Sequence, residues 1–80
     1  MHNLYTLNDL DINEEGYVSS LVSNEDIRRR LLDMGLVEGT RVKCVLKSPG
    51  GDPVAYNIRG AVVAIRNEDS KNIFIKTNQD

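Results

Sequence analysis

The seventeen residues Ser23–Gly39, SNEDIRRRLLDMGLVEG, form the only stretch of this chain with a helical period, and they decide how the rest is read. Ile27, Leu31 and Met34 recur at i, i+4 and i+7, with Leu32 widening the apolar stripe. Ser23 or Asn24 supplies a side-chain oxygen to cap the first turn, and Ser23 with Asp26 is a short form of the capping box. Glu25 and Asp26 place negative charge at the positive end of the helix dipole. Gly35 suits the residue after the helix, where φ is positive and a Cβ would clash. The spacing predicts about three helical turns, from near Asn24 to Met34. Leu36 then folds back on the last turn, and Glu38-Gly39 turns the chain into the next segment.

Both flanks of this stretch are β-type. Upstream, TLNDL reads as a short ordered turn capped by Thr6 or Asn8, and Asn13–Gly16 as a second turn. GYVSSLV then alternates as a strand, with Tyr17, Ser19 and Leu21 opposite Val18, Ser20 and Val22. Downstream, TRVKCVLKS alternates again, which puts Val42, Cys44 and Leu46 inward and Arg41, Lys43 and Lys47 outward. Ser48–Pro53, SPGGDP, has every local mark of a loop. In VAYNIRGAVVAIR, Val54, Tyr56 and Ile58 share a face, and Gly60 divides the run into two strands. Asn67–Lys71 suits one helical turn, NIFIK is a last strand with Ile73 and Ile75 inward, and residues 77–80 form a frayed tail.

Five short strands with one helix after the first must close or cover their edges, most simply as a partly open SH3-like β-barrel. An OB-fold also has five strands and a helix, but its helix falls between the third and fourth strands. Eighty residues make one domain, residues 1–80, with a core that supplies only about 3–5 kcal/mol net.

Little in the composition supports catalysis. The only histidine is His2, so neither a histidine–nucleophile pair nor a histidine-rich metal site can be assembled. Cys44 alternates with Val42 and Leu46 and reads as a buried structural thiol. Asp9, Asp11, Asn13 and Glu15 alternate like oxygen ligands, but Gly16 comes too late for a calcium loop. The SPGGDP loop lacks the Gly-Lys-Ser/Thr end of a phosphate loop, and a strand follows it. No catalytic residue, metal ligand or cofactor is predicted.

The net charge of −2 conceals an asymmetry: residues 1–26 hold six acids and no Lys or Arg, whereas residues 27–80 hold ten bases and six acids. Four aromatic residues and an acidic isoelectric point fall short of a nucleic-acid face, so a solvated or protein-binding surface is preferred. Arg28-Arg29-Arg30 fan out over a helical arc about 100° per residue and make no single point site. No apolar run reaches the roughly 20 residues of a membrane span, and the N-terminus has no signal-peptide pattern. With a single cysteine, these features lead us to expect a cytoplasmic protein that does not insert into membranes.

From Arg28 to Ile75 the chain resembles the FeoA family, small proteins of bacterial ferrous iron uptake. The matching positions are Met34-Gly35-Leu36, Gly39, Pro49, Gly51-Asp52-Pro53, Gly60, Val63, Ile65-Arg66 and Ile73, with Leu7-Asn8-Asp9-Leu10 and Gly16 ahead of them. The resemblance implies an SH3-like barrel in which Met34, Gly35, Leu36, Gly39, Pro53 and Gly60 are structural. It implies a non-enzymatic accessory protein that docks on the cytosolic GTPase region of an FeoB-type membrane transporter and modulates transport. Residues expected to face that partner are Arg28, Arg29, Arg30, Pro49, Gly51, Asp52, Arg59 and Arg66. The alternatives are a nucleic-acid-binding small β-barrel or a metal-responsive regulatory domain, as in the C-terminal domain of iron-dependent repressors. An Fe(II) site needs clustered His and carboxylate ligands, which the sequence does not offer. Titration with Fe(II) under anaerobic conditions, followed by NMR, is therefore expected to give no saturable, localised shifts at micromolar metal.

Overall fold

A computed structural model describes residues 5–21 and 25–77. It contains a six-stranded antiparallel sheet: β1 Tyr5–Thr6, β2 Glu15–Leu21, β3 Arg41–Lys47, β4 Val54–Ile58, β5 Ala61–Ile65 and β6 Ile73–Lys76. Their order in the sheet is β1-β6-β2-β3-β4-β5, so β1 and β5 are the edges. A 3-10 turn occupies Leu7–Asp9, helix α1 spans Glu25–Asp33, and α2 is the short turn Asn67–Ser70. The fold is mainly β and SH3-like, with the sheet curled but not closed by backbone pairing.

The sixth strand is a correction to the expected five. β1 has only two residues, too few to show a period, and it exists through its pairing: Tyr5 opposite Ile75 and Thr6 opposite Phe74. The turn that follows it is fixed by Asp9, whose carboxylate accepts from the Thr6 N–H at 2.8 Å. Thr6 is thus the cap residue, with Asp9 in the reciprocal role of a capping box. Gly16 lies inside β2 rather than in a turn, and a Cβ there would sit 3.1 Å from the Lys76 carbonyl oxygen.

Helix α1 ends as the sequence predicts. Gly35 has φ +90°, the Leu36 N–H donates to the Leu31 carbonyl, and the Gly35 N–H donates to the Leu32 carbonyl. These are the 6→1 and 5→2 bonds of a Schellman motif, completed by burial of both Leu31 and Leu36. Ile27 and Met34 pack partly buried against the same core. Leu32 does not widen the buried stripe; it is exposed on the flank of the helix. The proposed caps Ser23 and Asn24, together with Val22 and the end of the tail at 78–80, lie outside the described residues.

Strand β3 carries a second correction. Cys44 pairs with Tyr56, but the next pair is Leu46 with Ala55, so Val45 is an extra residue in a β-bulge. One inserted residue inverts the alternation beyond it. Leu46, expected inward, is instead 63% exposed. A bulge also interrupts β2 between Val18 and Ser20, leaving Val18 buried and Ser20 exposed. By contrast β4 keeps its period, with Val54, Tyr56 and Ile58 all buried. Arg59 and Gly60, with φ +55° and +84°, form a two-residue turn of the I′ kind that joins β4 to β5.

The core gathers Leu7, Leu10, Val18, Leu31, Leu36, Val42, Cys44, Tyr56 and the buried isoleucines of β4, β5 and β6. Tyr56 is fully buried, and its hydroxyl donates to the Leu7 carbonyl at 3.2 Å. That bond joins β4, next to one sheet edge, to the segment beside the other edge, and it requires the sheet to curl.

Burial pushes the Tyr56 phenol up to about 12, with the neighbouring Cys44 adding to the rise and the Ser70 hydroxyl opposing it. Burial likewise raises the Cys44 thiol. Both groups hold their protons more tightly in the fold than in the unfolded chain. Their stabilisation is present below the unfolded values of 9.0 and 10.0 and is lost as pH rises above them, for Tyr56 through about 12. Urea unfolding should show stability falling between pH 9 and 12, by about 2–3 kcal/mol from Tyr56 alone. Tyr56→Phe should lower stability by about 1 kcal/mol at pH 7 and flatten that alkaline decline.

Candidate functional site: a glycine-lined groove and the helix arginines

At one end of the molecule the turn before β3 meets the β4–β5 hairpin. Between them lies an open, polar groove of about 670 Å³, whose lining includes Gly39, Gly60, the cations Arg41, Lys43 and Arg59, and the acids Glu15 and Glu38. Two glycines expected to be structural, Gly39 and Gly60, therefore face the same space. The Thr40 hydroxyl donates to the Gly35 carbonyl at 3.2 Å, tying this turn to the end of α1. Arg59 lies across that helix end, since a Cβ on Gly35 would stand 3.8 Å from Arg59 Cδ. Arg41 stands 3.9 Å from Glu15, an exposed and weak pair.

The opposite end carries the Ser48–Pro53 loop, which is fastened to α2. Asp52 Oδ1 accepts from the Asn67 N–H at 3.0 Å, and the Asn67 side-chain amide donates to the Gly51 carbonyl at 3.1 Å. The Gly51 N–H closes back on Ser48, and the Asp52–Pro53 peptide is cis. Asp52 is thus engaged in holding the loop, while Pro49 and Arg66 are exposed beside it.

The eight residues expected to face a partner consequently fall into three places. Pro49, Gly51, Asp52 and Arg66 sit at the loop end. Arg59 sits at the groove end, and Arg28, Arg29 and Arg30 lie on α1 between them. The arginines diverge as helical geometry requires. Arg28 borders a small recess with Ser19, Ser20, Leu32 and Glu38. Arg29 is exposed. Arg30 reaches Asp69 in α2, with Nη2 2.5 Å from Oδ1. Its partner is largely buried, with the Asp69 side chain only 12% exposed. Arg30 therefore holds α1 to α2. Along the strand Arg41 and Lys43 read only as outward-facing residues; the tertiary approach of two turns makes them walls of a groove.

The acids near the N-terminus are each used locally. Asp9 caps the 3-10 turn, Glu14 accepts from the Asp11 N–H, Asp11 lies 3.6 Å from Lys47, and Glu15 faces Arg41. Among the described residues no three His, Cys, Asp or Glu side chains come together as a metal-holding group. Cys44 is buried and unpaired by disulfide, with its thiol raised by desolvation. No helix among the described residues is long and apolar enough to cross a membrane.

Comparison with known proteins places these features. A model of the FeoA domain matches residues 5–77, and the chain belongs to the FeoA family. An FeoA-like protein from Clostridium acetobutylicum is 32% identical, with a TM-score of 0.87, covering 96% of this chain and 90% of that one. FeoA of Stenotrophomonas maltophilia, solved with zinc and described as a prokaryotic SH3 domain protein, is 30% identical. Its TM-score is 0.79, over 90% of this chain and 89% of that one. A Porphyromonas gingivalis protein that fuses Fe(2+) transport protein A to the Fe(2+) transporter FeoB is 30% identical over 70 residues, 88% of this chain. This chain spans only 8% of that fused protein's length.

The Arg30–Asp69 pair gives a direct test. Arg30→Ala leaves a largely buried carboxylate without its cation and should cost about 1–3 kcal/mol. A double-mutant cycle with Asp69→Ala, read by urea unfolding, should give a coupling of about 1 kcal/mol or more. The same cycle on Arg41 and Glu15 should give about 0.5 kcal/mol or less.

Proposed function

We propose that this chain is a non-enzymatic docking module of ferrous iron uptake, which binds the cytosolic GTPase region of an FeoB-type transporter and modulates transport. The observation that carries this reading is the fused relative. In Porphyromonas gingivalis a segment 30% identical to this chain shares one polypeptide with the transporter FeoB. Covalent fusion holds the two parts at high effective concentration, which favours a weak contact made between separate chains elsewhere. A small polar module with cations on an exposed helix is suited to such a contact, since charges steer and orient association. The reading places the module in the cytoplasm, where the GTPase region lies.

The contact surface in this reading centres on Arg28 and Arg29, whose helix face is exposed. The groove with Arg59, and the loop with Pro49, Gly51, Asp52 and Arg66, flank it. Arg30 contributes indirectly, by fixing the helix against α2. Charge reversal at Arg30 would mix unfolding with loss of contact, so the test uses its neighbours. Isothermal titration of the purified cytosolic region of an FeoB-type transporter should give saturable binding. The double variant Arg28→Glu/Arg29→Glu should bind about tenfold more weakly at low salt while keeping the wild-type melting temperature. Unchanged affinity would remove the arginines from the interface, and no binding by the wild-type chain would end the docking reading.

A further inference from the structure

Strand β5 forms one edge of the sheet. This edge strand reads AVVAI, with neither charge, proline nor glycine to discourage pairing. Its ladder with β4 is regular, with Ile58 opposite Ala61, Asn57 opposite Val62, Tyr56 opposite Val63 and Ala55 opposite Ala64. In a two-residue hairpin the residues flanking the turn, here Ile58 and Ala61, exchange hydrogen bonds, and every second pair thereafter does so. Val62 and Ala64 therefore direct both N–H and C=O away from β4. Their side chains also lie on the outer face, where Val62 is 65% exposed and Ala64 is exposed. The β3 bulge extends this face, because it turns Leu46 outward into one cross-strand row with Ala55 and Ala64.

Charge decides what would cover it. The eight residues Arg59–Arg66, RGAVVAIR, carry a cation at each end and no acid. Both arginines are exposed, and neither forms an ion pair among the described residues. Lys43 adds a third cation in the cross-strand row of Asn57 and Val62. A second copy of this chain fits poorly. Antiparallel pairing of β5 with itself through Val62 and Ala64 brings Arg59 of one copy beside Arg66 of the other at both ends, and like charges there repel.

We infer that the β5 edge is a strand-addition site for an extended polypeptide segment that is acidic at both ends and alternates small apolar side chains between them. Five residues of such a segment span about 17 Å along β5. They exchange main-chain hydrogen bonds with Val62 and Ala64, and rest alternate side chains beside those of Val62 and Ala64. The acidic ends meet Arg59 and Arg66. This surface shares Arg59 and Arg66 with the flanks of the proposed transporter contact but not the helix arginines, and its test does not involve the transporter.

The probe is a blocked seven-residue peptide with glutamate at each end and valine alternating with threonine between, titrated into the intact 15N-labelled chain. Saturable shifts at Val62 and Ala64, with their amide exchange slowed about tenfold or more, are the expected result. The same peptide with lysine ends should bind about tenfold more weakly at low salt. Ala64→Pro removes an outward N–H and should abolish binding. Val62→Glu keeps the backbone intact and should weaken it about tenfold through charge repulsion, which guards against a misfolded proline variant. Shifts confined to Gly39, Arg41 and Lys43, equal binding of the two peptides, no saturable shift at millimolar peptide, or a self-association that buries β5 would each overturn the inference.

Discussion

The hydrogen bond from Tyr56 to the Leu7 carbonyl is the constraint on which the rest of the structure depends. A six-stranded sheet ordered β1-β6-β2-β3-β4-β5 has two free edges and, laid flat, would leave one apolar face open to water. Tyr56 stands on β4, one strand from the β5 edge, and Leu7 follows β1 at the other edge. Joining them curls the sheet about a core that the phenol itself fills. A buried hydroxyl must find an acceptor, and the Leu7 carbonyl, which already accepts from the Leu10 N–H, supplies it with its second lone pair. The cost of losing this arrangement extends beyond one hydrogen bond, because Leu7 and Leu10 are buried only while the N-terminal segment stays folded over the sheet.

Two further fastenings act on either side of that closure. Leu31 enters the core from α1, and the Schellman turn at Gly35 returns the chain so that Leu36 is buried beside it. At the other end α2 serves as a clamp, with Asn67 holding the Ser48–Pro53 loop and Asp69 holding Arg30 of α1. A short polar turn thus connects the loop, the helix and the last strand. This explains how a chain of 80 residues keeps a long Gly- and Pro-rich loop in register. It also separates the surface into parts that are structurally committed, Arg30 and Asp52, and parts that remain available, Arg28, Arg29, Arg66 and the groove cations.

Available cations on a rigid β-scaffold fit the docking role proposed above. The raised thiol of Cys44 is a consequence of burial in the core rather than of activation. The groove beside Gly39 and Gly60, the helix arginines and the β5 edge are three different kinds of surface: a polar concavity, a charged convexity and an unpaired backbone. Membership of the FeoA family fixes the fold that carries them.

Much of that fold was legible in the sequence because it rests on local rules. The helical stripe of Ile27, Leu31 and Met34, the Gly35 stop, the loop at Ser48–Pro53, the break at Gly60 and the alternation of Val54, Tyr56 and Ile58 are short-range patterns that a chain displays without its partners. The order of glycines and apolar positions was enough to identify the family. What the sequence could not display are features defined by two segments at once. β1 is a strand only because β6 lies beside it. Leu46 faces outward because one extra residue in β3 shifts its register against β4, and no local signal marks a bulge. Arg30 is an internal tie rather than a free docking cation because Asp69, 39 residues away, folds under it. The groove exists only where the turn at Gly39 and the hairpin at Gly60 approach each other. Period and turn chemistry are written along the chain; register, ion-pair partners and concavity are set by packing across it.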